Sequence, residues 1–452
     1  MDEQDDSSVD YPFSFTRNSP IIHTFCAMLD IQRLREFPDS VKQGMLAKGE
    51  SDPSVVDKAI EADESWRHAV AELDSKRAEA NKQAKEIGQL MAQGKKEEAE
   101  AMIAKTGEAK EALKTLEEGI SSLKEARDNL LLRISNVPHE SVPVGKTPED
   151  NQPVHHHGDA DTDPWRKPHW EIVEEHGWID FKRGVKVTGA GFPFYVGPIA
   201  KLQRALIQYF LDTATDAGFT EIQPPFVVNE DSARGTGQIP DKEDMMYVVP
   251  RDEFFAIPTA EVPVTNFHRD EVLPTAELPI KYCAYTPCWR REAGSYGKEV
   301  RGLNRLHQFD KVELVYMVKP SDSYEALEEL RSYVESLIEA LGLSYRTLLM
   351  CTADMGFTQS KKYDMEVWSP GQQRWLEVSS CSNFEDFQAR RMMIRAKDDD
   401  GSIELVHTLN GSGLALPRIV AAILEQYQQP NGDILVPAVL QSYMRTDSLT
   451  AS

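Results

Sequence analysis

From Trp66 to Met91 the chain sets Trp66, Val70, Leu73, Arg77, Ala80, Ala84, Ile87 and Met91 at alternating intervals of four and three. Met102, Thr106, Ala109, Leu113, Leu116, Ile120, Leu123, Arg127, Leu130 and Ile134 repeat the pattern. Sustained heptads on both sides of a break at 92–95 predict two helices folded back on each other as an antiparallel coiled coil, with Gly94 supplying the turn. Carrying the first run back to Ala59 would put Asp63 on the seam, and Arg77 and Arg127 already sit there, so the zipper is imperfect. Roughly thirty residues per helix make an arm on the order of 45 Å long. Two helices alone bury little, so the arm must project from a body.

Beyond Ile134, NVPHESVPVGKTPEDNQP has no periodicity and reads as a linker, placed at 135–165. Within it, His155-His156-His157 cannot share one face and is expected to be a polar loop rather than a metal site. From about 166 onward helical patterns (199–217, 323–341, 414–428) alternate with β-rich runs such as TEIQPPFVV, FFAIPTAEV, IKYCAYTPCW, HQFDKVELVYMV, YDMEVWSP, RWLEVSS and IELVHTLN. Most of these runs are joined by loops, which predicts an α+β body: an antiparallel sheet with helices packed on it. No GxGxxG or GxxxxGK[ST] follows a strand, so Rossmann and P-loop readings are poor. The expected units are an extension at 1–27, disordered or over-called, an arm domain at 28–134, the linker, and a body at 166–452.

The composition, 40% hydrophobic and 27% charged with no apolar run long enough to span a bilayer, suits a soluble protein without a membrane partner. Five scattered cysteines without CxxC spacing suit a reducing compartment, and the acid-rich first 27 residues resemble neither a transit nor a secretory peptide. The expected location is the cytoplasm. A net charge of −24 argues at first against nucleic acid, but positive charge is clustered. Residues 75–114 of the arm hold nine Lys/Arg against seven Glu, and TPCWRREAGSYGKEVRGLNRLHQF (286–309) holds five Lys/Arg.

In that second cluster Arg290 and Glu292, two apart on a predicted strand, should face the same way, and His307, Phe309 and Glu313 should share a face of the returning strand. A guanidinium, a carboxylate and an aromatic ring across one hairpin would suit a nucleotide; a surface hairpin of salt-bridged arginines would show the same spacing.

The stretch resembles the motif 2 hairpin of class II aminoacyl-tRNA synthetases. With PTAEVPVTN (258–266), YDMEVWSPGQQRWLEVSSCSNFEDFQARR (363–391) and HTLNGSGLALPRIVAAILEQYQQPNGDILVP (407–437), it looks like the seryl-tRNA synthetase family, bacterial type, over nearly all of 28–443. The resemblance implies the class II antiparallel sheet, with ATP as a substrate. Arg290 would grip the α-phosphate, Glu292 would contact adenine, and Phe309 and Arg418 would cover its two faces. Arg290, Glu292 and Arg418 would be the catalytic set. Arg291, whose strand parity points it away from Arg290, and Val378 and Ser379 complete the implied ATP stretch. Glu377 and Ser380 match a Mg²⁺-binding pair, yet residues three apart on an ideal strand face opposite ways, so a bulge or strand end is needed at 378–379.

L-Serine would be held by Thr259, Ala260, Glu261, Arg290, Glu313 and Ser412. Which carboxylate meets its ammonium and which its hydroxyl is left open. The resemblance makes the arm a grip for tRNA(Ser), with tRNA(Sec) an open second substrate. Lys82, Lys85, Lys95, Lys96 and Lys110 are arm candidates, and Lys298 and Arg301 lie on the loop that would approach the acceptor end. It further implies a homodimer, with the motif 1 region (about 199–228) at the interface and tRNA bound across both subunits. No Cys and His set accompanies the body, so no zinc is expected. A ligase that loads a carrier protein, and an inactive paralogue acting as a binding module, remain alternatives.

Overall fold

The structure, a computed structural model, describes residues 29–240, 244–292 and 301–449. The expected extension at 1–27, Lys298 and the side chain of Ala109 lie outside the described residues.

Two short helices, α1 (Ile31–Glu36) and α2 (Pro38–Ala47), pack at the base of the long pair α3 (Val55–Ala92) and α4 (Lys96–Leu131). At 38 and 36 residues these helices make an arm about 55 Å long. Gly94 turns the chain at φ 76°, a left-handed conformation that costs a glycine little. The seam does run back past Ala59: α3 starts at Val55 and Asp63 is 1% exposed. The polar seam residues are matched across the pair. Asp63 sits 2.8 Å from Arg67 and 3.5 Å from Arg127, whose guanidinium also lies 4.2 Å over the Trp66 ring, while Arg77 meets Glu117 at 2.7 Å. Asp63→Ala should therefore destabilise the arm base by about 3 kcal/mol, the low end for breaking a buried pair because Asp128 also holds Arg127. A melting temperature lowered by several degrees checks this; an unchanged one would make the buried aspartate energetically idle.

The body is built on an eight-stranded sheet. Its strands are β1 (Gln152–His157), β2 (Thr220–Glu221), β3 (Ile280–Trp289), β4 (Gln308–Val318), β5 (Tyr345–Leu349), β6 (Lys361–Ser369), β7 (Arg374–Asn383) and β8 (His407–Ala415). The spatial order is β1-β5-β6-β7-β8-β4-β3-β2, with every pair antiparallel except β2–β3. Helix α5 (His169–His176) precedes the three helices that cover one face: α6 (Pro198–Asp216), α7 (Ser323–Ala340) and α8 (Leu416–Gln426). Strand parity sorts the side chains. Val312, Leu314, Tyr316 and Val318 of β4 join Leu206, Leu330 and Ile423 in the core, so the odd-numbered Lys311 and Glu313 point to the opposite face.

Expectations for the linker and for three of the β-rich runs need correction; TEIQPPFVV divides into Thr220–Glu221 and Val227–Val228, and IELVHTLN breaks at Val406. The stretch 135–165 includes β1, which pairs with β5 at the sheet edge, so the three histidines are strand rather than loop. Alternation removes the need for a common face: His155 and His157 both flank Tyr345, and His156 approaches Trp375 on the other side. FFAIPTAEV is not one strand either; Phe254–Ala256 is, and Glu261–Thr265 is a helical turn. Pro258 has no N–H for a ladder, whereas Pro263 falls in the first turn, where none is needed.

Candidate functional site

The sheet face opposite the helices opens into a cleft of about 650 Å³ whose walls include Arg290, Glu292, Phe309, Glu377, Ser380 and Arg418. A larger cavity beside it shares Arg290, Glu377 and Ser380 and reaches Glu261. Those three shared residues mark where contents of the two spaces would meet.

Arg290 reaches the cleft by another route than strand parity. Strand β3 ends at Trp289, and Glu292 lies in the left-handed region at φ 51°, so the period-2 argument does not apply to this pair. Arg290 is held instead by its amide bond to His307 O at 2.9 Å, by its Nε donating to Pro258 O at 3.3 Å, and by Phe309, whose ring lies 5.2 Å from its guanidinium carbon. Arg305 pairs with Glu292. Arg291 turns away, with its guanidinium 3.1 Å from Asp244, and it is not in the cleft wall. His307 does not join Phe309 on the platform; it stacks on Phe192 and meets the Tyr247 hydroxyl at 2.8 Å.

The bulge that Glu377 and Ser380 require is present. Met365 pairs with Ser379 and Glu366 with Glu377, leaving Val378 as the extra residue. Leu376 and Val378 point into the core, as does Cys381 after the change of parity, which frees Glu377 and Ser380 to share the cleft. Ser379 is buried and donates to Ser412 O at 2.6 Å, a structural bond. Arg418, near the start of α8, donates from Nε to Asn304 O at 3.0 Å and from Nη1 to Glu377 O at 2.6 Å. Burial opposes charge on Glu377, but Lys362, Arg418, Arg290 and Lys311 outweigh it and hold the carboxyl below the ordinary range.

Deeper in, two buried carboxylates stand side by side. Thr259 Oγ1 donates to Glu313 Oε2 at 2.9 Å and accepts from Lys311 Nζ at 2.9 Å; Lys311 also pairs directly with Glu313. Asn410 Nδ2 bridges Glu261 Oε2 at 2.8 Å and Glu313 Oε1 at 3.2 Å, and Gln388 Nε2 donates to Glu261 Oε1 at 2.6 Å. Burial, and then the neighbouring charge of Glu313, push the Glu261 carboxyl up to about 7. Ala260 is fully buried, and Ser412 borders the first cleft. Lys311, Gln388 and Asn410 were not singled out from the sequence. Lys311 has the parity of Phe309 and Glu313, so the rule that grouped those two applied to it as well, whereas Asn410 shares its parity only with Ser412, which the family resemblance supplied.

The arm lysines Lys82, Lys85, Lys95, Lys96 and Lys110 are all exposed. Arg301 is exposed as well, its guanidinium carbon 4.7 Å over the Trp170 ring. Among the described residues no group of three or more His, Cys, Asp or Glu is placed to hold a metal ion, and no helix is long and apolar enough to cross a membrane.

The two-faced antiparallel sheet with this cleft defines a class II aminoacyl-tRNA synthetase body, and the tRNA synthetase class II core domain (G, H, P, S and T) matches residues 247–427. The seryl-tRNA synthetase N-terminal domain matches residues 28–138. A serine–tRNA ligase of Salinibacter ruber is 55% identical over 92% of this chain and 98% of its own, and one from an Exiguobacterium species is 47% identical over the same shares. The crystal structure of a Pyrococcus horikoshii seryl-tRNA synthetase complexed with ATP superposes with a TM-score of 0.87 at 36% identity, covering 94% of this chain and all of that one. The chain belongs to the seryl-tRNA synthetase family.

Proposed function

We propose that the cleft and the buried carboxylates together carry out the reaction of the family: L-serine and ATP give seryl-adenylate and pyrophosphate, and a ribose hydroxyl at the 3′ end of tRNA then takes the seryl group, releasing AMP. The observation that carries this is the meeting of the two cavities at Arg290, Glu377 and Ser380. There a carboxylate held by the Glu261 and Glu313 cluster would face an α-phosphate held by Arg290, and attack in line needs no side-chain nucleophile. Catalysis is positioning plus electrostatics. Phe309 and Arg418 flank the base, and Glu292 accepts from its amine.

Magnesium, when bound with ATP, supplies charge neutralisation on phosphate oxygens. Glu377 and Ser380 would hold it. Two hard oxygen donors on one face, with Glu377 45% exposed, fit an ion that takes its remaining ligands from phosphates and water. Carboxylates suit the serine ammonium, and a buried hydrogen-bonding network suits its hydroxyl. A network left unpaired by alanine can discriminate on the order of 10⁴-fold, while threonine is refused by shape.

The arm's exposed lysines would track the backbone of tRNA(Ser), and tRNA(Sec) is a second substrate to test. The segment leading into α6 leaves Val185, Val187, Phe194 and Val196 exposed, which supports a second copy covering this region, with tRNA spanning both. An arm domain over 28–134, a catalytic body over 166–452 that takes Gln152–His157 of the intervening stretch into its sheet, and a cytoplasmic location complete the reading.

Amino-acid-dependent ATP–pyrophosphate exchange with each standard amino acid, followed by charging of total tRNA with the winner, tests it; exchange as strong with alanine or threonine overturns it. A pH dependence also follows. Below about 7 the Glu261 carboxyl is protonated in the free protein and presents no charge to an ammonium group, so serine binding releases a proton. KM for serine should fall as pH rises from about 6 to about 8, by up to about tenfold per unit on the acid side. A flat profile would remove Glu261 from ammonium binding.

A further inference from the structure

His169, the first residue of α5, is fully buried and is claimed by no role above. Its Nδ1 lies 2.8 Å from Glu425 Oε1, and its own amide donates to the same oxygen at 2.9 Å. On the other side of the ring, Nε2 lies 2.8 Å from the Leu303 amide nitrogen. An amide N–H can only donate, so Nε2 carries no hydrogen. The single ring proton is therefore on Nδ1 and is donated to Glu425. Glu425 is itself fixed by Ser369, by the Gly371 amide at 3.0 Å and by Gln372 Nε2 at 3.2 Å.

What this ring holds is the wall of the cleft. Leu303 and Asn304 both line it, and Asn304 O receives Arg418 Nε. Gln372 grips the Asn304 side chain at 2.8 Å. Arg418 and Glu425 are seven residues apart on α8 and so lie on one face, which closes a circuit: Arg418, Asn304, Leu303, His169, Glu425 and back along the helix. The approach is too close for any side chain at Gly302, where an added Cβ would fall 2.3 Å from His169 Nε2 and φ is 67°. One residue earlier, Arg301 rests on Trp170.

We infer that His169 is a positioning residue for the nucleotide pocket: in its Nδ1–H form it latches the 302–304 segment to α5 so that the Asn304 carbonyl aims Arg418 into the cleft. The inference rests on the reading of that cleft as the ATP site. None of the hydrogen bonds of His169 reaches Thr259, Glu261, Glu313 or Asn410, so its loss should register on ATP and not on serine.

The test is serine-dependent pyrophosphate exchange by the full chain. His169→Phe keeps the ring but loses both bonds, and is expected to raise KM for ATP about tenfold with KM for serine unchanged. His169→Gln restores an acceptor for the Leu303 amide and should recover part of the loss. Equal rises in both KM values, or no change in either, overturn the inference. If His169→Phe does not fold, Gln372→Ala, which releases Asn304 from the outside, should show the same ATP-only signature at about threefold, and its absence overturns the inference equally. Arg418→Ala run in parallel separates the two claims. A normal KM for ATP there defeats the reading of the cleft, whereas a raised one beside a normal His169→Phe defeats the latch alone.

Discussion

Arg290→Ala is expected to reduce serine-dependent pyrophosphate exchange by on the order of 10³-fold or more, because an arginine that offsets charge on a transferring phosphoryl group supplies that much. Among the described residues Arg290 is the cation common to both cavities, stacked on Phe309 and tied to Pro258 O. The loss should fall mainly on kcat, since charge develops in the transition state, although KM for ATP should rise as Phe309 loses its stacking partner. Arg290→Lys should recover little: one ammonium cannot reproduce a planar fork that stacks on a ring while pairing with an oxyanion. Exchange within a few-fold of wild type in Arg290→Ala would show that the cleft binds something else.

How Arg290 reaches its place shows where sequence reasoning stops. Long periodic segments were legible to within a few residues: 199–217 became Pro198–Asp216, and 323–341 became Ser323–Ala340. The conflict of spacing between Glu377 and Ser380 called for a bulge or strand end at 378–379, because a strand has only two faces, and the bulge is there with Val378 as the extra residue. Arg290 and Glu292 were linked by the same rule, yet the strand ends at Trp289 and a left-handed turn makes the connection. A local change of backbone state leaves no periodic trace.

The edge strand β1 was hidden for a related reason. Its residues are polar or exposed on both sides, so alternation carried no signal, and only pairing with Tyr345–Leu349 defines it. Asn410, Gln388 and His169 act through partners more than a hundred residues away, which no local window can see.

Removing residues 72–115 and joining the stumps with a short glycine-rich turn should lower charging of tRNA by on the order of 10³-fold or more while leaving serine activation close to wild type. The deletion takes away all five candidate lysines of the arm. It spares Asp63, Trp66 and Arg127 and the core of Val41, Val55, Leu131 and Ile134, which pack the arm base against Phe387 of the body. That separation makes the outcome informative. Among the described residues none of 72–115 lines either space, so activation has no direct need of the distal helices, whereas tRNA loses the exposed cations that would contact successive phosphates. Affinity of the intact chain for tRNA should accordingly fall steeply with salt, each phosphate contact adding about 0.7 to 0.9 to the slope of log K against log salt, and the truncated chain should show a shallower slope. If activation fell as far as charging, the arm would be supporting the fold of the catalytic body; if charging survived with its salt dependence intact, the tRNA would be held elsewhere, and the basic loop that includes Arg301 would be the next surface to test.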